Sequence, residues 1–338
     1  MKAWISGGCG FVGTNLAARL LVDGHDVTLF DDLSRRGSEL NLGWLKRDGN
    51  KRLTFRMGSV TMHSEVTTAM KGADVVFHLA AQTAVTTSLA NPRKDFAINA
   101  SGTMNVLEAA REMAKPPIVL YTSTNKVYGD LLDFPPVECE TRYAFGLGPD
   151  AISEKQPLVP YTPYGCSKAC ADQYCLDYHR IYQLPTIVFR MSCIYGPHQH
   201  GTEDQGWIHH MAKQAAAGKE IRVYGNGKQV RDCLYVDDLV EAMLAAVEKI
   251  KVTAGQAYNI GGGPENTISI RELAKMIQSP PFDLKPYQIS THPERPGDQK
   301  IYVSDIRKAK QDFGWAPKVS VPDGLERMVN SWQTTGSK

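Results

Sequence analysis

The 338 residues suffice for one large α/β unit or two smaller lobes, and a 42% apolar share lets the chain bury a core without staples. Lys and Arg number 38 against 36 Asp and Glu, with no block of like charge, which argues against nucleic-acid or membrane-surface partners. No apolar run approaches the roughly 20 residues that span a bilayer, and "MKAWISGG" lacks the long apolar region of a secretory leader, so a cytoplasmic protein is expected.

Along the chain, short apolar runs alternate with helical spacing. "KAWIS", "DVTLF", "RLTFRM", "DVVFHLA" and "PIVLYTS" read as strands, and "GTNLAARLLVDG" and "NASGTMNVLEAAREMA" as helices between them. Further strands are expected in "LPTIVFRMS" and "QAYNIGGG". Alternation of this kind predicts a doubly wound parallel sheet covered on both faces. From about residue 196 the chain is richer in Gly, Pro and charged turns, which predicts a smaller C-terminal lobe closing over the sheet. The expected division is therefore 1–195, with a return strand near 233–262, and a lobe made mainly of 196–338.

The first turn, "GGCGFVG", places Gly7, Gly10 and Gly13 between a strand and a helix. Such a turn lets backbone approach a pyrophosphate, whose charge the helix N-terminus favours. Asp31 ends the second strand, eighteen positions after Gly13, where a carboxylate accepts ribose hydroxyls and repels a 2′-phosphate. NAD is therefore expected; Arg35 and Arg36 in "DDLSRRG" leave NADP as the alternative.

In "PYTPYGCSK", Tyr164 and Lys168 stand at i and i+4, a spacing that puts both on one helix face. The ammonium is expected to lower the phenol pKa so that Tyr164 acts as a base. On the same helix, Cys166, Cys170 and Cys175 precede His179, but small thiols on an amphipathic helix are expected to pack rather than bind metal. Seven cysteines without a Cys-x-x-Cys pair fit a reducing compartment. His198, His200, His209 and His210 fall in a polar stretch and are likewise not expected to hold a metal.

Together with "FHLAAQ", "STNKVYGD", "FRMSCIYGP", "GNGKQVRDCLYVDDL" and "RPGDQKIYVSDIRKAK", these motifs resemble the extended short-chain dehydrogenase/reductases that act on nucleotide sugars. The resemblance spans nearly the whole chain and implies a Rossmann sheet with a nucleotide-sugar-binding lobe. It implies Thr124, four positions before Tyr128, as the hydroxyl that bonds the reacting sugar hydroxyl, with Tyr164 and Lys168 completing the catalytic set. It adds Phe11, Val12, Asp32, Ser34 and Arg35 to the cofactor residues, together with Ser59, Val60, Leu79, Ala80, Ala81, Asn99 and Thr122. For the substrate it implies Gln82, Ser88, Asn125, Cys193 and Gln205, with Arg231 and Arg295 on the diphosphate and Asp298 on the ribose.

Several positions depart from that pattern. Related 4,6-dehydratases carry Asp-Glu after the Thr, where this chain has Asn125 and Lys126. Ser59 stands where relatives commonly have an Asp against the adenine, and Cys193 where many have an Asn. The resemblance thus implies an epimerase that inverts C2 of a CDP-linked hexose through a transient keto-sugar, with hydride return from tightly bound NADH. A UDP-sugar 4-epimerase or a reductase of the same fold is the alternative. A non-catalytic NAD-binding regulator is disfavoured because Thr124, Tyr164 and Lys168 are all present. A homodimer or homotetramer is expected, paired through helices near 100–114 and 164–180.

Overall fold

The structure is a computed structural model and describes residues 1–146, 148–280, 282, 288–295 and 297–334. Its center is a seven-stranded sheet in the order Gln256–Ile260, Thr186–Met191, Ile118–Thr124, Val75–His78, Lys2–Ser6, Asp26–Asp31, Leu53–Met57. Every neighboring pair is parallel. The inner strands are buried on both faces, which is why their sequences read as continuous apolar runs rather than alternating ones.

One face is covered by Phe11–Val22, Ser38–Lys46 and Val236–Glu248, whose Leu16, Leu20, Leu42 and Leu239 share a core with Ile5, Leu29 and Phe77. The other is covered by His63–Met70, Gly102–Arg111 and Thr162–Tyr182, through Val66, Val106, Leu107, Ala171 and Cys175. The connections leaving Lys2–Ser6 and Val75–His78 run to opposite sides, so a crevice opens at the carboxyl ends of these strands, the place where such sheets bind ligands.

The second layer is built around Val230–Tyr235, which pairs with Cys193–Tyr195 and Ile301–Tyr302 in parallel and with Thr267–Ser269 antiparallel. Ile221–Tyr224 pairs with Ile289–His292 beside it. The strand that rejoins the main sheet is Gln256–Ile260; within the expected return segment, Val230–Tyr235 belongs to the second layer. The helix Arg307–Phe313 also comes back, packing Ala309, Phe313 and Trp315 against the main core. The expected break near residue 196 is therefore crossed twice, because amphipathic segments late in the chain cover bare sheet.

The helix expected over "NASGTMNVLEAAREMA" begins as a π-helical turn at Ala97–Ser101 before Gly102–Arg111 continues it. Such turns re-aim side chains, and here Asn99 points into the protein. No described helix is long and apolar enough to cross a membrane.

Candidate active site

A cavity of about 480 Å³ runs from the glycine turn, past the ends of the central strands, to the second layer. At its first end Gly7 has φ 66°, and a Cβ there would lie 2.8 Å from the Ala80 nitrogen. A Cβ on Gly13 would meet Gly8 Cα at 2.7 Å. Only glycine lets the two strand ends and the helix start come this close. The helix Phe11–Val22 has no side-chain cap at Gly10, so its first amides are left for a ligand. Asp31 closes this end: its carboxylate accepts the backbone N–H groups of Cys9 at 3.0 Å and Leu33 at 2.8 Å. Burial pushes its pKa up, against the pull of those two bonds.

Asp32 accepts both the backbone N–H and the hydroxyl of Ser34, at 3.0 and 2.6 Å. Arg35 turns into the cavity and donates to Thr83 at 2.5 Å. Ser59 shares a 2.9 Å bond with Thr61 while its N–H donates to Glu65, so its hydroxyl is locally committed. Phe11, Val12, Val60, Leu79, Ala80 and Ala81 line the walls. A glycine cradle, an uncapped helix start and a carboxylate beyond it fit a dinucleotide.

Further in, the strand Ile118–Thr124 delivers Thr122 and Thr124, and the helix Thr162–Tyr182 delivers Tyr164 and Lys168. Thr124 Oγ1 donates to Asn125 Oδ1 and accepts the Lys126 N–H, both at 3.3 Å. Lys168 Nζ donates to the Thr122 carbonyl at 2.6 Å and lies 4.3 Å from the Tyr121 ring center. Burial lowers its pKa to about 7.

Tyr164 departs from the sequence expectation. Burial raises its phenol pKa to about 12, and the opposing influences are its hydrogen bond with Thr124 and the charge of Arg35, not Lys168. The i, i+4 spacing brings Lys168 to the right face, but its ammonium is drawn to the strand-end carbonyl.

Three residues assigned by resemblance do not reach the cavity wall. Ser88 is fully buried, donating to the Val85 carbonyl at 2.7 Å and accepting the Tyr164 N–H at 3.2 Å. Asn99 accepts the Gln82 N–H at 2.9 Å and donates to the Gln82 carbonyl and to Asp95, each at 3.1 Å. Asp95 also accepts Ser167 at 2.5 Å. Gln82 and Asn99 therefore brace the strand end against the Tyr164 helix, and Ser88 holds the start of that helix.

At the far end Arg231 Nη2 donates to Asp298 at 2.8 Å. Arg295 lies 3.6 Å over the Tyr224 ring, donates to the Glu203 carbonyl at 3.0 Å and faces Asp204 at 3.5 Å. Cys193, Gln205, Asn125 and Lys126 complete the wall. Among the described residues, neither arginine pairs with the acidic residue beside it in the sequence, Asp232 or Glu294. Asp232 is instead buried, accepting Ser192 and the Gly263 N–H.

Sequence reasoning passed over His78, which is buried with Nδ1 at 2.6 Å from Ser6 Oγ and Nε2 at 3.0 Å from Thr103 Oγ1. Burial takes its pKa down to about 3. It also missed Lys126, His200, Trp207 and Tyr224 as lining residues; the only local signal was the oddity of a lysine two residues past a strand end. Among the described residues, no three His, Cys, Asp or Glu side chains gather as a metal site.

The sheet, the glycine cradle and the Thr124–Tyr164–Lys168 set define a dinucleotide-dependent enzyme of Rossmann type. The family described as GDP-mannose 4,6 dehydratase matches residues 4–328, and the chain belongs to it. It is 42% identical over 337 residues to the CDP-paratose 2-epimerase of Salmonella typhi, covering 98% of each chain. Its fold is similar to that of UDP-glucose 4-epimerase from Thermotoga maritima, solved with UDP-glucose, at 28% identity and a TM-score of 0.84 across 100% of both chains. It is also similar to UDP-glucuronic acid 4-epimerase from Bacillus cereus, solved with UDP-glucuronic acid and NAD, at 27% identity and a TM-score of 0.83 across 99% of both.

Proposed function

We propose that this chain is an NAD-dependent nucleotide-sugar epimerase that inverts C2 of a CDP-linked hexose, of the CDP-paratose/CDP-tyvelose type, through a transient keto-sugar. The observation that carries this reading is the end of the strand Ile118–Thr124. Thr124 faces the cavity with Tyr164 and Lys168, while the next two residues are Asn125 and Lys126, which supply no carboxyl group to eliminate water. The 42% identity with a 2-epimerase over almost the whole chain supports the choice of carbon and base.

NAD, held by Gly7, Gly10, Gly13 and Asp31, supplies a hydride acceptor and a positively charged ring when bound. Tyr164 takes the proton of the reacting hydroxyl and returns it, so its high intrinsic pKa must be offset by positive charge in the loaded site. Thr124 orients that hydroxyl. Lys168, fixed on the Thr122 carbonyl, anchors the helix face that carries Tyr164. Arg231, Arg295 and Asp298 hold the nucleotide, with Cys193, Gln205 and Asn125 around the sugar.

The chain pairs with a second copy in this reading. Phe96, Tyr174, Ile181 and Tyr182 are large apolar side chains left about half exposed on and before the Thr162–Tyr182 helix.

Incubating the purified protein with a CDP-hexose and no added cofactor tests the reaction type. Inversion without accumulation of reduced nicotinamide is expected. NADH rising in step with product, or dependence on free NADPH, would indicate an oxidoreductase instead.

A further inference from the structure

The wall between the catalytic set and the Arg231–Asp298 pair is formed by Lys126. Its backbone N–H donates to Thr124 Oγ1, and its side chain crosses to the second layer, where Nζ donates to the Gly297 carbonyl at 3.1 Å. Gly297 precedes Asp298, whose carboxylate is taken by Arg231 at 2.8 Å. Arg295 faces Asp204. Among the described residues Lys126 makes no ion pair with a carboxylate, so it brings to the cavity wall a positive charge held only by a backbone carbonyl.

Nucleotide-sugar chemistry gives that position a consequence. C2 is bonded to the anomeric carbon, which carries the phosphate oxygen, whereas C4 lies across the ring. A sugar that presents C2 to Tyr164 must bring its sugar-linked phosphate to the catalytic end; one that presents C4 leaves that phosphate at the far end. We propose that Lys126 binds the sugar-linked phosphate of the substrate and thereby selects C2 over C4, an inference that rests on the C2-epimerase reading above. Arg231 and Arg295 then hold the remainder of the diphosphate, and the Gly297 carbonyl keeps Lys126 extended until the phosphate arrives.

The ammonium faces Arg231, Asp298 and Asp130. Burial and Arg231 lower its pKa to about 8, with the two carboxylates opposing. Phosphate affinity is therefore full below that value and falls as pH rises through it. The phosphates of CDP finish titrating below this window, and Lys168 and Tyr164 titrate alike in the wild type and in a Lys126 variant, so the difference between the two proteins isolates Lys126.

Calorimetric titration of the NAD-loaded protein with CDP and with CMP tests the contact, because CMP lacks the second phosphate. In Lys126→Met, CDP affinity is expected to fall about 10- to 100-fold, the scale of one lost charged hydrogen bond, while CMP affinity stays the same. Lys126→Arg should retain most CDP affinity and lose the alkaline decline near pH 8. Equal losses for CDP and CMP, or no loss for CDP, would overturn the proposal. If the wild type fails to invert C2 of any CDP-hexose, the functional reading falls on that result alone, and the selection of C2 falls with it. The difference between CDP and CMP reports the phosphate contact independently of turnover.

Discussion

In the proposed reaction Tyr164 and its neighbors carry the chemistry, and each can be challenged singly. Tyr164→Phe removes the proton carrier and should lower kcat by about 10²- to 10⁴-fold while cofactor content, read from the absorbance of the purified protein, is unchanged. Ser88→Ala removes the acceptor of the Tyr164 N–H and the donor to the Val85 carbonyl but no group on the cavity wall, so a smaller loss is expected, with an unshifted KM for the nucleotide sugar. His78 sets a pH dependence of stability. Its folded pKa is about 3 against an ordinary 6.5, so the unfolded chain binds the extra proton between those values. Stability contributed by the neutral ring is complete above about 6.5 and is lost as pH falls through that window. His78→Gln should flatten the decline in unfolding free energy between pH 6.5 and 5 by up to about 1.4 kcal/mol per pH unit; parallel slopes for the two proteins would contradict the assignment.

The elements hold the site through contacts distant in sequence. Arg190, on the strand Thr186–Met191, makes two 2.9 Å bonds to Asp172 on the Tyr164 helix and donates to Tyr128 at 3.1 Å. The pair is almost fully buried. Asp172→Ala would leave the guanidinium buried and unpaired and should cost about 3–5 kcal/mol in chemical denaturation. Across the crevice, the segment before Trp207–Ala216 is tied to the Ser38–Lys46 helix. Asn41 donates to the Cys9 and His198 carbonyls at 3.1 and 3.2 Å, and Trp44 packs against His198, the tilted rings 4.0 Å apart between centers. Since this clasp lies beside the glycine cradle, Asn41→Ala should speed cofactor loss during gel filtration; retention equal to wild type would show that the clasp does not hold the cofactor in place.

Over the whole molecule, the inner strands of the main sheet were legible because parallel strands buried on both faces leave apolar runs, and the largely exposed edge strand Leu53–Met57 was legible from its place in the alternation of strands and helices. The cradle and Asp31 were legible because their spacing is local, as was the Tyr164–Lys168 register. What sequence did not disclose depends on tertiary pairing: Asp298 rather than Asp232 beside Arg231, the π turn that sends Asn99 inward, and the burial that raises the Tyr164 pKa. The returns at Gln256–Ile260 and Arg307–Phe313 were blurred for the same reason, since short segments show what they cover only once the sheet exists. Fold and site together make one central claim, inversion at C2 within a closed cycle. It is tested most directly by NMR of the purified protein with CDP-glucose in D2O, without added cofactor and with UDP-glucose in parallel. Formation of CDP-mannose with hydrogen, not deuterium, at C2 is the predicted result. Inversion at C4, deuterium at C2, or turnover of UDP-glucose alone would contradict it.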